Sequence, residues 1–238
     1  MVNMKNNTNN KLRKKQKKSK KKRTQKETIL CFCAHNDDQV IGAGGTLAKY
    51  AKEGKEVYTY IFSYGEGSHP HLNPRVIIKK RVSESRAADK IIGEKGSFHL
   101  GLKEGKFMDG IEKRGIKERI KEIITEKAPI KIFTHSQDDP HVDHRIVNKL
   151  ILDIANEIKY YGDIYSFDIW NPLPARGREK PMLFVDISKT FNKKIKAIKC
   201  HNSQTVTLWT MLPATYTRAV INGLNHHCKY AEIFYKIN

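Results

Sequence analysis

Two hydrophobic rhythms take turns along this chain. Residues 28–34, TILCFCA, form a short continuous apolar run, the pattern of a strand buried on both faces. A glycine-rich turn follows, and GTLAKYAKEG reads as a helix closed by Gly54. EVYTYIFS (56–63), rich in β-branched and aromatic residues, predicts a second strand, and GEGSHPHLNP a loop. Residues 76–92 place apolar side chains at helical spacing up to Gly93, and FHL (98–100) predicts a short third strand. A charged helix over 111–127, a strand at IKIFTH (130–135) and the amphipathic helix HRIVNKLILDIANEI come next. IYSFDIW, MLFVDIS and YAEIFYKI supply further strands. Such alternation predicts one α/β domain around a mostly parallel sheet.

Open parallel sheets bind ligands at the carboxyl ends of their strands. Two polar clusters occupy those positions: His35-Asn36-Asp37-Asp38 after the first strand, and DDPHVDH (138–144) after IKIFTH. A catalytic zinc takes about three His, Asp or Glu ligands and leaves one position open to water. His35 and Asp38, three apart in a turn, can converge on one ion, and His144 is the best candidate to complete the set. Asp37 then remains to accept a proton from water. His141 is placed to donate to an oxyanion or a leaving group, with Asp143 fixing its tautomer or orienting a ligand histidine. Singly, Asp and Asn are ordinary turn and cap residues, and SQDDP suits a turn. Two clusters with complementary donor types at two strand exits favour a metal. The spacing Gly42-Gly44-Gly45 fits neither dinucleotide nor P-loop patterns and reads instead as allowing close backbone approach beneath the site.

Charge changes the picture at one end only. Of the 45 Lys and Arg in 238 residues, 12 fall in residues 1–26, which hold no acid; the remaining 33, against 25 acidic residues, leave +8 of the formal +20 for the body. We therefore expect residues 1–27 to be a disordered Lys/Arg-rich tail and 28–238 to be the folded domain. The tail suits nonspecific attraction to nucleic acid or to an anionic membrane surface. It lacks the apolar centre of a signal peptide, and no apolar run approaches the roughly 20 residues that span a bilayer. Four cysteines without a C-x-x-C pair argue against a structural zinc knuckle, and the expected compartment is the reducing cytoplasm.

AHNDDQVIGAGGTLAKYAKEGKEV resembles the A-H-P-D-D-E signature of the LmbE-like (PIG-L) zinc N-acetylglucosaminyl deacetylases, and DDPHVDH resembles their D-P-H-P-D-H motif. RVSESRAADKIIG, LGLKEGKF, KIKAIKCHNSQ and YAEIF extend the resemblance over about 28–238. It implies a Rossmann-like fold with helices on both faces of the sheet. It further implies His35, Asp38 and His144 as zinc ligands, Asp37 as general base, His141 as oxyanion stabiliser or acid, and Asp143 in support. Arg81 would grip sugar hydroxyls and His201 would line the pocket. Asn36 stands where the family has proline and Gln39 where it has glutamate; the second removes one negative charge beside the metal but leaves the ligand set intact.

The expected activity is zinc-dependent removal of the N-acetyl group from an N-acetylglucosamine-type sugar or glycoconjugate. The alternative is a catalytically altered scaffold that binds RNA or an anionic surface through its tail. Neither the rest of the substrate nor an oligomeric state follows from the sequence.

Overall fold

The computed structural model describes residues 26–69, 71–170 and 181–238. Most of the basic tail, residues 1–25, lies outside the described residues. The first strand, β1 (Thr28–Cys33), is buried at every position and sits inside a seven-stranded sheet. Its alternation serves two cores. Ile29, Cys31 and Cys33 join one apolar cluster, while Leu30 and Phe32 join the other, so the run has no polar face to offer solvent.

Chain order continues α1 (Asp38–Lys52), β2 (Glu56–Ser63), α2 (Pro74–Ile92), β3 (Gly96–Leu102), α3 (Phe107–Lys113), α4 (Ile116–Lys127) and β4 (Lys131–His135). Then come α5 (Val142–Glu157), β5 (Asp163–Phe167), β6 (Met182–Asp186), α6 (Phe191–Ile198), α7 (Thr205–Asn225) and β7 (Ala231–Lys236). The strands lie in the order β3-β2-β1-β4-β5-β7-β6. β1 to β5 pair in parallel, and β7 runs antiparallel to both β5 and β6. Residues of α1, α2, α6 and α7 fill the core on one face, and those of α3, α4 and α5 fill it on the other. The α/β class, the mostly parallel sheet and its two helical layers are as expected. The strand order turns around between β1 and β4, and ligands gather at such a switch point.

Four expectations change in detail. α1 begins at Asp38, so GAGG lies inside the helix. A Cβ on Gly42 would meet the Phe167 ring at 2.3 Å and one on Gly45 would meet Ile187 at 2.6 Å; the glycines let α1 press on the sheet and its neighbours. The charged helix expected over 111–127 is two helices, α3 and α4, separated at Gly115 in the left-handed region (φ 59°). Finally, the sequence reading places no helix over 205–225, where α7 runs through Pro213. The third strand also extends beyond FHL to Gly96–Leu102.

Candidate metal and catalytic site

β1 and β4 end side by side, and each hands over to a polar turn and a helix. At the first exit, His35 and Asn36 form the turn, Asp37 is the N-cap residue of α1, and Asp38 opens the helix. At the second, His141 is the N-cap of α5, its ring Nδ1 accepting from the Asp143 N–H at 3.2 Å. Asp143 and His144 then lie in the first helical turn. The exits are tied directly: the Ala34 N–H donates to His135 Nε2 at 2.9 Å.

Three donor atoms converge between the helices. His35 Nδ1 is 3.2 Å from His144 Nε2 and 3.4 Å from Asp38 Oδ2, and Asp38 Oδ2 is 3.5 Å from His144 Nε2. Four ligands placed tetrahedrally at zinc's usual bond lengths of about 2.0–2.1 Å lie about 3.3–3.4 Å from one another. The two imidazoles and one carboxylate therefore fit such a cation in both spacing and donor type. His35-His141-Asp143 and His135-Asp139-His144 are two further groups whose donors lie close enough to share an ion. In the last of these, His135 Nε2 is already committed to the Ala34 amide.

Carboxylates stand behind the rings. Asp139 Oδ1 lies 2.9 Å from His144 Nδ1. Asp143 Oδ2 lies 3.4 Å from His35 Nε2 and accepts from the Gly105 N–H at 2.9 Å. Asp143 thus supports His35 with its carboxylate and His141 with its amide. The partner of His144 is Asp139, which reads in the sequence only as a turn residue. His135 and Glu104, the latter 3.8 Å from His35 Nε2, are also additions that strand pairing alone brings to the site. A histidine at a predicted strand's last position was the available signal for His135.

Electrostatics are dominated by this packing. Burial favours a neutral His35, yet the Asp143 and Asp38 carboxylates override it and raise its pKa to about 10. Burial likewise opposes an ionised Asp38, but the His144 and His135 rings hold its carboxyl well below the usual range. His135 goes the other way, to about 4, through burial and then the charge of His144. His141 is lowered by burial and by His35 and His144, so near pH 7 it is neutral. With Nδ1 accepting a backbone N–H, the neutral ring carries its proton on Nε2 and can donate there.

These groups open onto a cavity of about 490 Å³ lined by His35, Asp37, Asp38, Arg81, His141 and His144 among others. Arg81 is 2% exposed; its Nη1 donates to the Gly65 carbonyl at 2.7 Å while Nε has no partner. A Cβ on Gly65 (φ 66°) would meet Arg81 Nη1 at 1.9 Å, so this contact requires glycine. His201 is placed differently from expectation. It is fully buried, its two ring nitrogens lack partners, and its successors Asn202 to Gln204 form the cavity wall in its stead. His201 immediately precedes the short helical turn Asn202–Gln204.

Comparison with known proteins follows this geometry. Residues 30–155 match the PIG-L family, described as GlcNAc-PI de-N-acetylase. The diacetylchitobiose deacetylase of Thermococcus kodakarensis is 24% identical over 221 residues, covering 86% of this chain and 80% of its own. The 4-oxalmesaconate hydratase of Pseudomonas putida KT2440 is also 24% identical over 221 residues, covering 83% and 80%. Among solved structures, N,N'-diacetylchitobiose deacetylase from Pyrococcus horikoshii superposes with a TM-score of 0.74 at 23% identity, covering 89% of this chain and 84% of that one.

Proposed function

The chain belongs to the PIG-L (GlcNAc-PI de-N-acetylase) family, and from that premise we propose that it is a zinc-dependent N-deacetylase of an N-acetylglucosamine-type sugar or glycoconjugate. The observation that carries the reading is that Asp37 and His141 line the same cavity as the His35-Asp38-His144 triad. His35, Asp38 and His144 would hold the ion, which when bound supplies Lewis acidity toward the acetamide carbonyl and toward water. Asp37, at the helix N-terminus beside a ligand, accepts the proton that water loses on attacking the carbonyl carbon. The Nε2–H of neutral His141 donates to the oxygen that gains charge. Asp37 returns its proton to the departing nitrogen, so one amide and one water give acetic acid and an amine, which separate at neutral pH as acetate and an ammonium group. Asp143 and Asp139 hold the rings of His35 and His144 in place. Arg81, which lines the same cavity, would hold sugar hydroxyls in this reading. The reading places this chemistry in the cytoplasm.

A second reading rests on the P. putida hydratase, as similar to this chain as the deacetylase from T. kodakarensis. The same proton acceptor would then activate water for addition to a carbon–carbon double bond of a carboxylated substrate. One experiment separates the two. Zinc-loaded protein is assayed for amine release from a panel of N-acetylated sugars and for loss of double-bond absorbance with unsaturated dicarboxylates. Deacetylation should appear in the first assay and fall by about 10²–10⁴-fold in Asp37→Asn, with zinc content unchanged. Turnover confined to the second assay would replace the proposal with hydration, and equal loss of metal and activity in Asp37→Asn would remove that residue from its role.

A further inference from the structure

α7 has an outward face that the chemistry above does not use. Residues 205–217, TVTLWTMLPATYT, contain no charged side chain. Leu208, Met211, Thr215 and Ala219 point into the core. Val206 (83% exposed), Trp209 (75%) and Tyr216 (47%) face outward with exposed Pro213 between them, a 3-4-3 spacing that makes one stripe. A surface helix ordinarily turns charge toward water, and a continuous exposed apolar stripe marks a contact surface.

The stripe begins at the cavity mouth. Thr205, Val206 and Thr207 line the cavity, as does Trp170, itself 44% exposed. Lys80 lines the same cavity from α2. The surface leading to it exposes Leu72 (45%) and Val76 (61%) beside Arg75 and Lys79. Residues 67–83 hold no acid, and their exposed cations are Arg75, Lys79 and Lys80. Apolar side chains bordered by cations of one sign match the two layers of an anionic lipid interface, the acyl boundary and the headgroups. A two-fold pairing of copies through this face would set one basic border against another. No helix among the described residues is long and apolar enough to cross a membrane, so the contact lies on the surface.

We propose that the face carrying the cavity mouth docks on an anionic lipid surface, with Val206 and Trp209 entering the headgroup–acyl boundary and Arg75 and Lys79 meeting the headgroups. The docking stands whichever reaction the site performs.

The test uses the full chain and vesicles of phosphatidylcholine with and without phosphatidylglycerol at physiological salt, so that wild type and variants carry the same basic segment 1–26. Wild-type protein should bind the anionic vesicles, and Val206→Ser/Trp209→Ser should bind about tenfold more weakly or worse. Leu224→Ser, which removes a 70% exposed side chain elsewhere on the same helix, should bind as wild type. In Trp170→Phe, Trp209 is the only tryptophan left; its emission should shift to the blue on vesicle addition and be quenched by brominated lipid. That measurement decides the matter if the double variant fails to fold. Unmoved Trp209 emission with unaltered binding of the double variant would overturn the proposal in favour of attachment through residues 1–26. So would a wild-type dimer that the double variant dissolves while vesicles leave Trp209 unquenched, or emission that responds to RNA and not to lipid.

Discussion

Glu232→Ala is expected to unfold the protein more readily than any surface change, and the structure sets the scale. Glu232, on β7, is 5% exposed and Lys194, on α6, is 3% exposed. The carboxylate accepts from Lys194 Nζ at 2.6 Å and from two backbone N–H groups in the middle of α1, Gly45 at 3.0 Å and Thr46 at 2.7 Å. Thr190 Oγ1 donates to the Gly45 carbonyl at 2.8 Å, so one residue of α1 is gripped at both backbone polar atoms. Removing Glu232 strands a buried ammonium and takes one acceptor from each of two α1 amides. Breaking a buried pair in this way costs about 3–5 kcal/mol. For a chain of this size each kcal/mol moves Tm by about 2–4 °C, which gives a fall of about 6–20 °C. Calorimetry of Glu232→Gln, of Lys194→Met and of Lys194→Met/Glu232→Gln, beside Glu232→Ala, completes the cycle. The double variant should recover much of the loss, since no uncompensated charge remains. A single variant within about 1 kcal/mol of wild type would show that water reaches the ammonium and would refute the burial argument.

Three other outcomes are expected. Asp139→Asn should weaken zinc binding about 10–100-fold by freeing the His144 ring, with little change in Tm; unchanged affinity in a zinc titration would leave Asp139 a turn residue only. Because His35 titrates at about 10 without metal, zinc uptake at pH 7 should expel close to one proton and tighten as pH rises toward that value. Calorimetric titrations in buffers of different ionisation enthalpy measure the proton count, and zero release contradicts the assignment of His35. Glu94, whose carboxyl burial raises from 4.5 to about 8, favours the fold only while protonated. Its contribution is complete below about pH 4.5 and is lost as pH rises through 8, so Glu94→Gln should be neutral in acid and stabilise by about 1–3 kcal/mol above pH 8. A Tm difference that stays flat from acid to alkali would count against it.

The legible part of this site was its local chemistry. His35, Asp37 and Asp38 share one turn, and His141, Asp143 and His144 share another, so strand exits and donor types suffice to pair them. What depends on register was not legible. His135 reaches Asp38 Oδ2 at 3.2 Å only because β1 and β4 align Cys31 with Phe133, and no local pattern carries that alignment. Asp139 looks like turn material because it is; its second task appears only once His144 packs against it. α7 escaped for a different reason. Helical periodicity is read from the contrast between an apolar and a charged face, and residues 205–217 have no charged face. The break between α3 and α4 rests on one glycine that sequence alone leaves free to be helical.

The hydrogen bond from Ala34 to His135 joins residues 101 positions apart. On a ribosome adding about 5–20 residues per second, the first half of the site waits roughly 5–20 s before the second has been made. Through that interval β1 has β2 for a neighbour on one side and nothing on the other, and its six residues are all ones the finished protein hides. An unpaired apolar edge is the segment of a nascent chain most prone to pair with a stranger. The strand order that places two histidines side by side thus also sets a period of exposure during synthesis, in which a holding chaperone would have its clearest target.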